Sequence, residues 1–447
     1  MSRFALAVLA VAVLATGLRT VGIGRWPFGG DELGTFDELE WWTHPPAVID
    51  SPDQSVPKVI PLAMLAHDAG RRAFGADERG TRVVPAACGV LGVVAVTLGL
   101  AGVLPRRCAI AVGVWLAVGV EPIFYSQYHR FYTLTALFAW PALIAGARAV
   151  KANSATWMLL ACGLAGLATA CHTVAGATFG ALAVAAVWGG WRVRIAAWAG
   201  TAAAGGVAVA VILPMVGAKA GMAFAGWEGA TSARAMFSLV AQASWPAAVL
   251  APVGLVMLWQ RDRRQAGYWG TLAAAWVGGG LVLPAVLPYH SAYSFAAALP
   301  VWVLAGVATA ELASAAGGRL LWVGLPLLTL PSLASYYQDG NRHDFRAAAD
   351  YVANRVGPND WVLGNEPAKL MYYRPELKPR LLDPLAADPF AVPPGGRLWV
   401  VCGANRRSLE KPWAGWLADH ARLQTIIAGR RFDYHEYAVW VHVSDGP

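Results

Sequence analysis

Charge is scarce in this chain, and acidic charge scarcest. Asp, Glu, Lys and Arg supply 14% of 447 residues, and only 27 of those are acids, whereas an ordinary soluble domain carries about 25% charged residues. With 57% hydrophobic residues, 21 Trp and a mean hydropathy of +0.46, this scarcity excludes a soluble globular domain. Cysteine is also rare. Of five, Cys88, Cys108, Cys162 and Cys171 lie in or beside apolar blocks and Cys402 stands alone, which argues against a disulfide framework. The absence of CxxC and HExxH leaves a dedicated zinc site without support. The absence of GxGxxG and Walker patterns does the same for a nucleotide loop. No internal repeat occurs at any fixed period.

What is abundant is apolar sequence in long blocks. A bilayer core takes about 20 apolar residues per helix, and blocks of that order recur at 4–24, 83–104, 108–125, 132–149, 155–171, 173–190, 195–215, 240–259, 267–288, 292–316 and 319–336. The expectation is a mainly α polytopic membrane protein with about eleven spans. Met1-Ser2-Arg3 and the following run resemble a signal peptide, but no small-residue cleavage site precedes a soluble body, so the run reads as a retained first helix. The net charge of +8 sits in short runs between the blocks, which is a topology signal rather than a nucleic-acid-binding face.

If cations mark the cytoplasmic side, then Arg3, Arg106-Arg107, Arg148 with Lys151, Arg192 with Arg194, Arg261 with Arg263-Arg264, and Arg319 share that face. The N-terminus is then cytoplasmic. The opposite face receives the 25–82 loop, the Gln127–Arg130 turn, His172, the 216–239 loop, His290 and the tail. On this map an impermeant thiol reagent reaches Cys402, if the fold exposes it, and leaves Cys108 protected. Trp41-Trp42, Trp227 and Trp245 fall at the outer boundary, where indoles anchor.

From residue 337 the composition turns polar, and 337–447 reads as an extracytoplasmic α/β domain beside a transmembrane domain at 1–336. His343–Val356 has helical periodicity with Phe345, Ala348, Ala349 and Val352 on one face. Trp361-Val362-Leu363, Arg397–Cys402 and Tyr437–Val443 read as strands, and Gly357-Pro358-Asn359-Asp360 as a turn.

Several motifs carry a family resemblance. Asp31-Glu32 follows the first apolar helix, Pro61 opens a segment ending Phe74-Gly75, and Arg82 opens the second span. Ser126-Gln127-Tyr128-His129-Arg130-Phe131-Tyr132 is similar to a Ser-Gln-x-x-Arg-x-Tyr turn, and His343-Asp344-Phe345-Arg346-Ala347 with Tyr372-Tyr373 resembles the start of a C-terminal domain. Together they resemble the GT-C superfamily of membrane glycosyltransferases, in the bacterial group related to protein O-mannosyltransferases and lipid A aminoarabinose transferases. The chain departs from that pattern in two places. Pro57-Lys58-Val59-Ile60-Pro61 stands where relatives carry His-Pro-Pro or Lys-Pro-Pro, with His44-Pro45-Pro46 lying too early, and Ser291-Ala292-Tyr293 keeps a Tyr but lacks the preceding Arg.

The resemblance implies inverting transfer of a sugar from a polyprenyl-phosphate donor to an acceptor at the extracytoplasmic face of the bacterial inner membrane. The acceptor is a protein, a lipid or a polysaccharide. Such a displacement needs a carboxylate to take the acceptor's proton and a cation to receive the departing phosphate. Asp31 is the expected base, with Glu32 the second choice or a partner holding the acceptor. Arg130, with a planar fork suited to phosphate, and Lys58 are the expected phosphate ligands; snorkelling is the other account of Arg130. Tyr132, His129, His172, His290 and Tyr293 are candidate substrate contacts, and Asp37-Glu38 and Glu40 read as a solvated helix face. A divalent cation stays open. A transporter or flippase of lipid-linked sugars, which would carry ionisable groups at mid-span, and a non-catalytic envelope scaffold are the alternatives.

Overall fold

The computed structural model describes residues 1–43, 61–207, 244–286, 291–315, 322, 324, 327–340, 342–382, 396–404, 413–427 and 438–444. Lys58, His290, Trp227 and His44-Pro45-Pro46 lie outside the described residues. The described residues are mainly helical with one small sheet, and the chain divides into two compact units. The first comprises 1–21 with 38–330, the second 22–37 with 331–447.

In the first unit α1 (Arg3–Thr20) precedes α2 (Gly30–Thr43), whose later residues belong here, and α3 (Pro61–Phe74). Then come α4 (Glu78–Leu100), α5 (Arg106–Val118), α6 (Val120–Ser126), α7 (Tyr132–Ala152), α8 (Ala155–Cys171), α9 (Ala177–Ala185) and α10 (Trp191–Val207). The unit closes with α11 (Trp245–Arg261), α12 (Arg263–Val286) and α13 (Leu299–Ala315). Close backbone approach holds α11 to α13. A Cβ on Gly254 would lie 1.8 Å from the Leu304 carbonyl oxygen, so only glycine permits this crossing.

Among the described residues four helical stretches are long and apolar enough to cross a bilayer: α1, α4, α7 and Phe295–Ala315. The pair α5 and α6, bent by 60°, makes a fifth if counted as one span. The expected eleven therefore overcounts what the described residues show. Helix α8 has 17 residues, about 25 Å at 1.5 Å per residue and short of a core of about 30 Å. The block 173–190 breaks into the 3-10 turn Thr173–Gly176, α9 and the 3-10 turn Ala186–Trp188. Helix α10 begins with Arg192 and Arg194, α12 with Arg263 and Arg264, and 208–215, 319–321, 323 and 325–326 lie outside the described residues. Counting uncharged residues does not reveal where a backbone breaks.

Cations expected on one side do meet. Arg107 (2.7 Å) and Arg261 (2.9 Å) both pair with Glu311, while Arg148 donates to Gly99 O (3.0 Å) and Lys151 to Val103 O (2.7 Å), satisfying carbonyls at the end of α4. Glu311, absent from the sequence reading, is the carboxylate that joins α5, α11 and α13.

The second unit contains α14 (Leu330–Asp339, from Pro331 onward), α15 (Phe345–Ala353), α16 (Pro367–Tyr373), α17 (Trp413–His420) and strands β1 (Trp361–Gly364), β2 (Leu398–Ala404), β3 (Arg422–Ile427) and β4 (Ala438–Ser444). The sheet order is β1-β2-β4-β3, with β1 parallel to β2 and the other pairs antiparallel. Phe345, Ala348, Ala349 and Val352 are fully buried on α15, as their periodicity required, and Asp344 caps it by accepting the Ala347 N–H at 3.0 Å. Cys402 is also buried, and burial pushes its thiol up to about 12, so external thiol labelling does not read this residue.

Residues 22–37 belong to this unit through aromatic contacts. The Trp26 ring lies 5.1 Å from Tyr336, and the Phe28 N–H donates to the Tyr373 hydroxyl at 2.6 Å. Gly340 turns beneath Trp26 with φ +66°, where a Cβ would lie 2.3 Å from the indole.

Candidate functional site

The acidic pair opens α2, where the positive end of the helix dipole favours carboxylates. Its two members differ in environment. Glu32 is fully buried; its carboxylate accepts the Gly29 N–H at 2.8 Å and the Arg342 guanidinium at 3.1 Å, while Arg342 also donates to Gly340 O at 2.9 Å. Glu32 thus fastens the start of α2 to the segment leading into α15. Asp31 is exposed, and among the described residues no hydrogen bond or ion pair engages its carboxylate. Beside them α16 carries buried Lys369 paired with Glu366, whose carboxylate packs against Gly30.

In the first unit the motif Ser126–Tyr132 separates into residues that build a turn and residues that use it. Arg19, fully buried at the end of α1, donates to Ser126 Oγ (3.0 Å), Leu116 O (2.9 Å) and Ala117 O (3.2 Å). The Gln127 amide donates to Arg19 O (2.8 Å) and Val21 O (2.9 Å), where α1 runs out of intrahelical partners. Ser126 and Gln127 therefore pin the turn to α1, and Arg130 projects from the pinned turn.

Arg130 pairs with Glu38 at 3.1 Å, with the two side chains 10% and 9% exposed. This corrects two expectations. A buried, ion-paired guanidinium is not snorkelling, and Glu38 does not lie on a solvated face, although Asp37 and Glu40 are exposed. Sequence reasoning missed Glu38 because its partner is 92 positions away; the i+7 spacing from Asp31, which returns to the same helix face, was the available signal.

Around the pair stand three buried histidines. His67 of α3, not singled out in the sequence, meets His129 edge-to-face at 4.5 Å between ring centroids, and His172 stacks on Phe131 at 3.8 Å. Burial first, then His129 and Arg130, hold His67 well below its usual range, and burial with Arg130 lowers His172 to about 3. Both are neutral at physiological pH. Glu38 and His67 from the 25–82 segment thus meet the Gln127–Arg130 turn within this unit, and His172 lies beside that turn.

Immediately after Arg130 the chain enters the wall of a cavity of about 410 Å³. Phe131, Tyr132, Thr135, His172, Trp276 and Phe295 line it along with small residues of α9 and α12, and the wall is mostly apolar. Tyr132 and His172 are the sequence candidates that reach it. Tyr293 lies in the 3-10 turn Ser291–Ala298. Among the described residues no group of three His, Cys, Asp or Glu side chains is arranged to hold a metal ion.

No family model matches the chain, and no curated protein sequence matches it. Solved structures do. ArnT from Cupriavidus metallidurans in the apo state superposes with a TM-score of 0.57 at 15% identity, over 98% of this chain and 97% of that one. The same protein bound to undecaprenyl phosphate gives 0.55 at 15% identity over the same shares. The archaeal oligosaccharyltransferase AglB from Archaeoglobus fulgidus, in complex with an inhibitory peptide and a dolichol-phosphate, gives 0.50 at 11% identity, over 98% of this chain and 75% of that one. ArnT and AglB are GT-C superfamily members, and the likeness is one of fold: this chain has the GT-C fold.

Proposed function

We propose that the chain is an inverting glycosyltransferase that moves a sugar from a polyprenyl-phosphate donor to an acceptor at the extracytoplasmic membrane face. The observation that carries this reading is the adjacency of Arg130, a buried cation, to Phe131 and Tyr132, which open an apolar cavity. A cation beside a greasy cavity matches a ligand that is anionic at one end and isoprenoid at the other. The fold neighbours support it, since one holds undecaprenyl phosphate and another dolichol-phosphate.

In the proposed reaction Asp31 takes the proton from the acceptor's nucleophile, whose lone pair forms the new bond to the anomeric carbon. The bond from that carbon to the phosphate oxygen breaks on the opposite face, and its electron pair leaves on the phosphate, so configuration inverts and polyprenyl phosphate is released. Arg130 stabilises that phosphate, with Lys58 the second candidate. Glu32, tied to Arg342, holds the helix start that presents Asp31. The sugar and the acceptor are not specified by these features.

The test is a lipid-extract mass analysis of cells lacking the gene. Accumulation of a polyprenyl-linked sugar is the expected result. An unchanged lipid profile, with the donor supplied and detectable, contradicts the reading.

A further inference from the structure

Arg130 has the two ingredients of an anion site, a buried guanidinium and an apolar neighbourhood, yet a carboxylate already occupies it. The Glu38 Oε2 accepts from Arg130 Nη1 at 3.1 Å, and both side chains are almost fully withdrawn from water. The pair differs from two other buried arginines among the described residues. Arg19 donates to Ser126 and to backbone carbonyls at the end of α5, and Arg342 donates to Glu32 and to Gly340 O. Those two link chain segments that must meet for the fold to close. Arg130 instead sits on a turn that Ser126 and Gln127 already pin, so Glu38 is not required to place the turn.

The groups near Arg130 explain why a carboxylate is there. His67 and His129 pack edge-to-face, His172 stacks on Phe131, and the Phe131 ring lies 5.2 Å from the Arg130 guanidinium carbon. These neighbours contribute no negative charge. A lone guanidinium in such surroundings is costly, whereas one with an anionic partner is tolerated. Glu38 is that partner when no substrate anion is bound.

We propose that Glu38 is a stand-in for the donor's phosphate, holding the Arg130 guanidinium until a polyprenyl-linked phosphate displaces it. This rests on the assignment of Arg130 to the phosphate in the function proposed above. Displacing a buried carboxylate costs free energy that a phosphate must recover, so Glu38 weakens donor binding while keeping the empty site folded. It also sets a selectivity: only an anion that makes a stronger bidentate contact than a carboxylate gains entry.

The experiment measures binding of a short-chain polyprenyl phosphate, without sugar, to full-length protein in detergent, for the wild type, E38Q, E38D and R130A. Expected is about tenfold tighter binding in E38Q, which corresponds to about 1.4 kcal/mol. E38D, whose shorter carboxylate grips Arg130 less well, should tighten it less. Thermal unfolding of empty E38Q should fall below that of the wild type, and added lipid phosphate should restore more of it than it adds to the wild type. R130A tests the underlying assignment separately: if it leaves binding unchanged, the phosphate role of Arg130 fails. If R130A loses binding while E38Q binds no more tightly than the wild type, the assignment stands and the stand-in role is overturned. Should E38Q not fold, E38D decides by the same comparison.

Discussion

Replacing Asp31 by Asn removes the proposed proton acceptor at nearly constant shape. Transfer should fall by about two to four orders of magnitude, with folding unchanged because the residue is exposed. Near-normal turnover in a purified Asp31→Asn protein would sink the base assignment. Glu32→Gln acts on stability instead. It strips the charge partner from buried Arg342, at a cost of about 3 to 5 kcal/mol for breaking such a pair, so its thermal midpoint should drop well below that of Asp31→Asn; equal midpoints would contradict the tether. At Arg130, Lys keeps the charge and loses the planar fork, so donor binding should weaken by about 1 to 3 kcal/mol, with little change for the acceptor. Equal donor affinity in Arg130→Lys and Arg130→Ala would move the phosphate role to Lys58. The positions proposed to carry the chemistry, Asp31 and Arg130, were legible as motif members, as was Glu32. Their division of labour was not, because it depends on partners far off in sequence: Arg342 for Glu32 and Glu38 for Arg130.

Among elements, the tail was read closely where its pattern was local. The periodic face of α15 and the strands β1, β2 and β4 fall where alternation and turn residues placed them. Strand β3, Arg422–Ile427, was missed because it is an edge strand exposed at Arg422, Leu423 and Ile426, so it shows no clean apolar alternation. The turn before β1 is held by Asp360, which accepts the Gly357 N–H (2.8 Å), the Trp399 indole N–H (3.0 Å) and the Arg397 guanidinium (2.9 Å). Burial opposes its ionisation, but these donors win and hold it at about 2. Because the folded value lies below the ordinary one of about 3.9, its stabilisation is present above that value and is lost as pH falls through about 2. His442 on β4 is lowered by burial, so protonation favours the unfolded tail once pH drops below about 6.5. Hydrogen exchange of β2 and β4 amides should therefore speed up in two stages on acidification, after correction for intrinsic rates; flat protection between pH 7 and 3 would contradict this.

For the whole molecule, composition sufficed for the class and the gathering of charges but not for the span count. Arg107 with Arg261 at Glu311, and His172 with the Arg130 turn, follow the alternation of cationic loops. The breaks in 173–190 do not, because 3-10 geometry leaves no mark on a count of uncharged residues. With Cys402 buried, orientation is better read from Tyr372→Cys, since Tyr372 is 41% exposed in the second unit. In sealed cells an impermeant thiol reagent should modify it, and modification only after the membrane is opened would reverse the map. The central claim is that this chain consumes a lipid-linked sugar donor by way of Asp31. Purified protein incubated with radiolabelled polyprenyl-phosphate sugars and an envelope extract as acceptor tests it most directly. The account predicts label passing from the lipid to an acceptor with the wild type and almost none with Asp31→Asn; label that stays on the lipid with the wild type, or moves equally well with both, would contradict it.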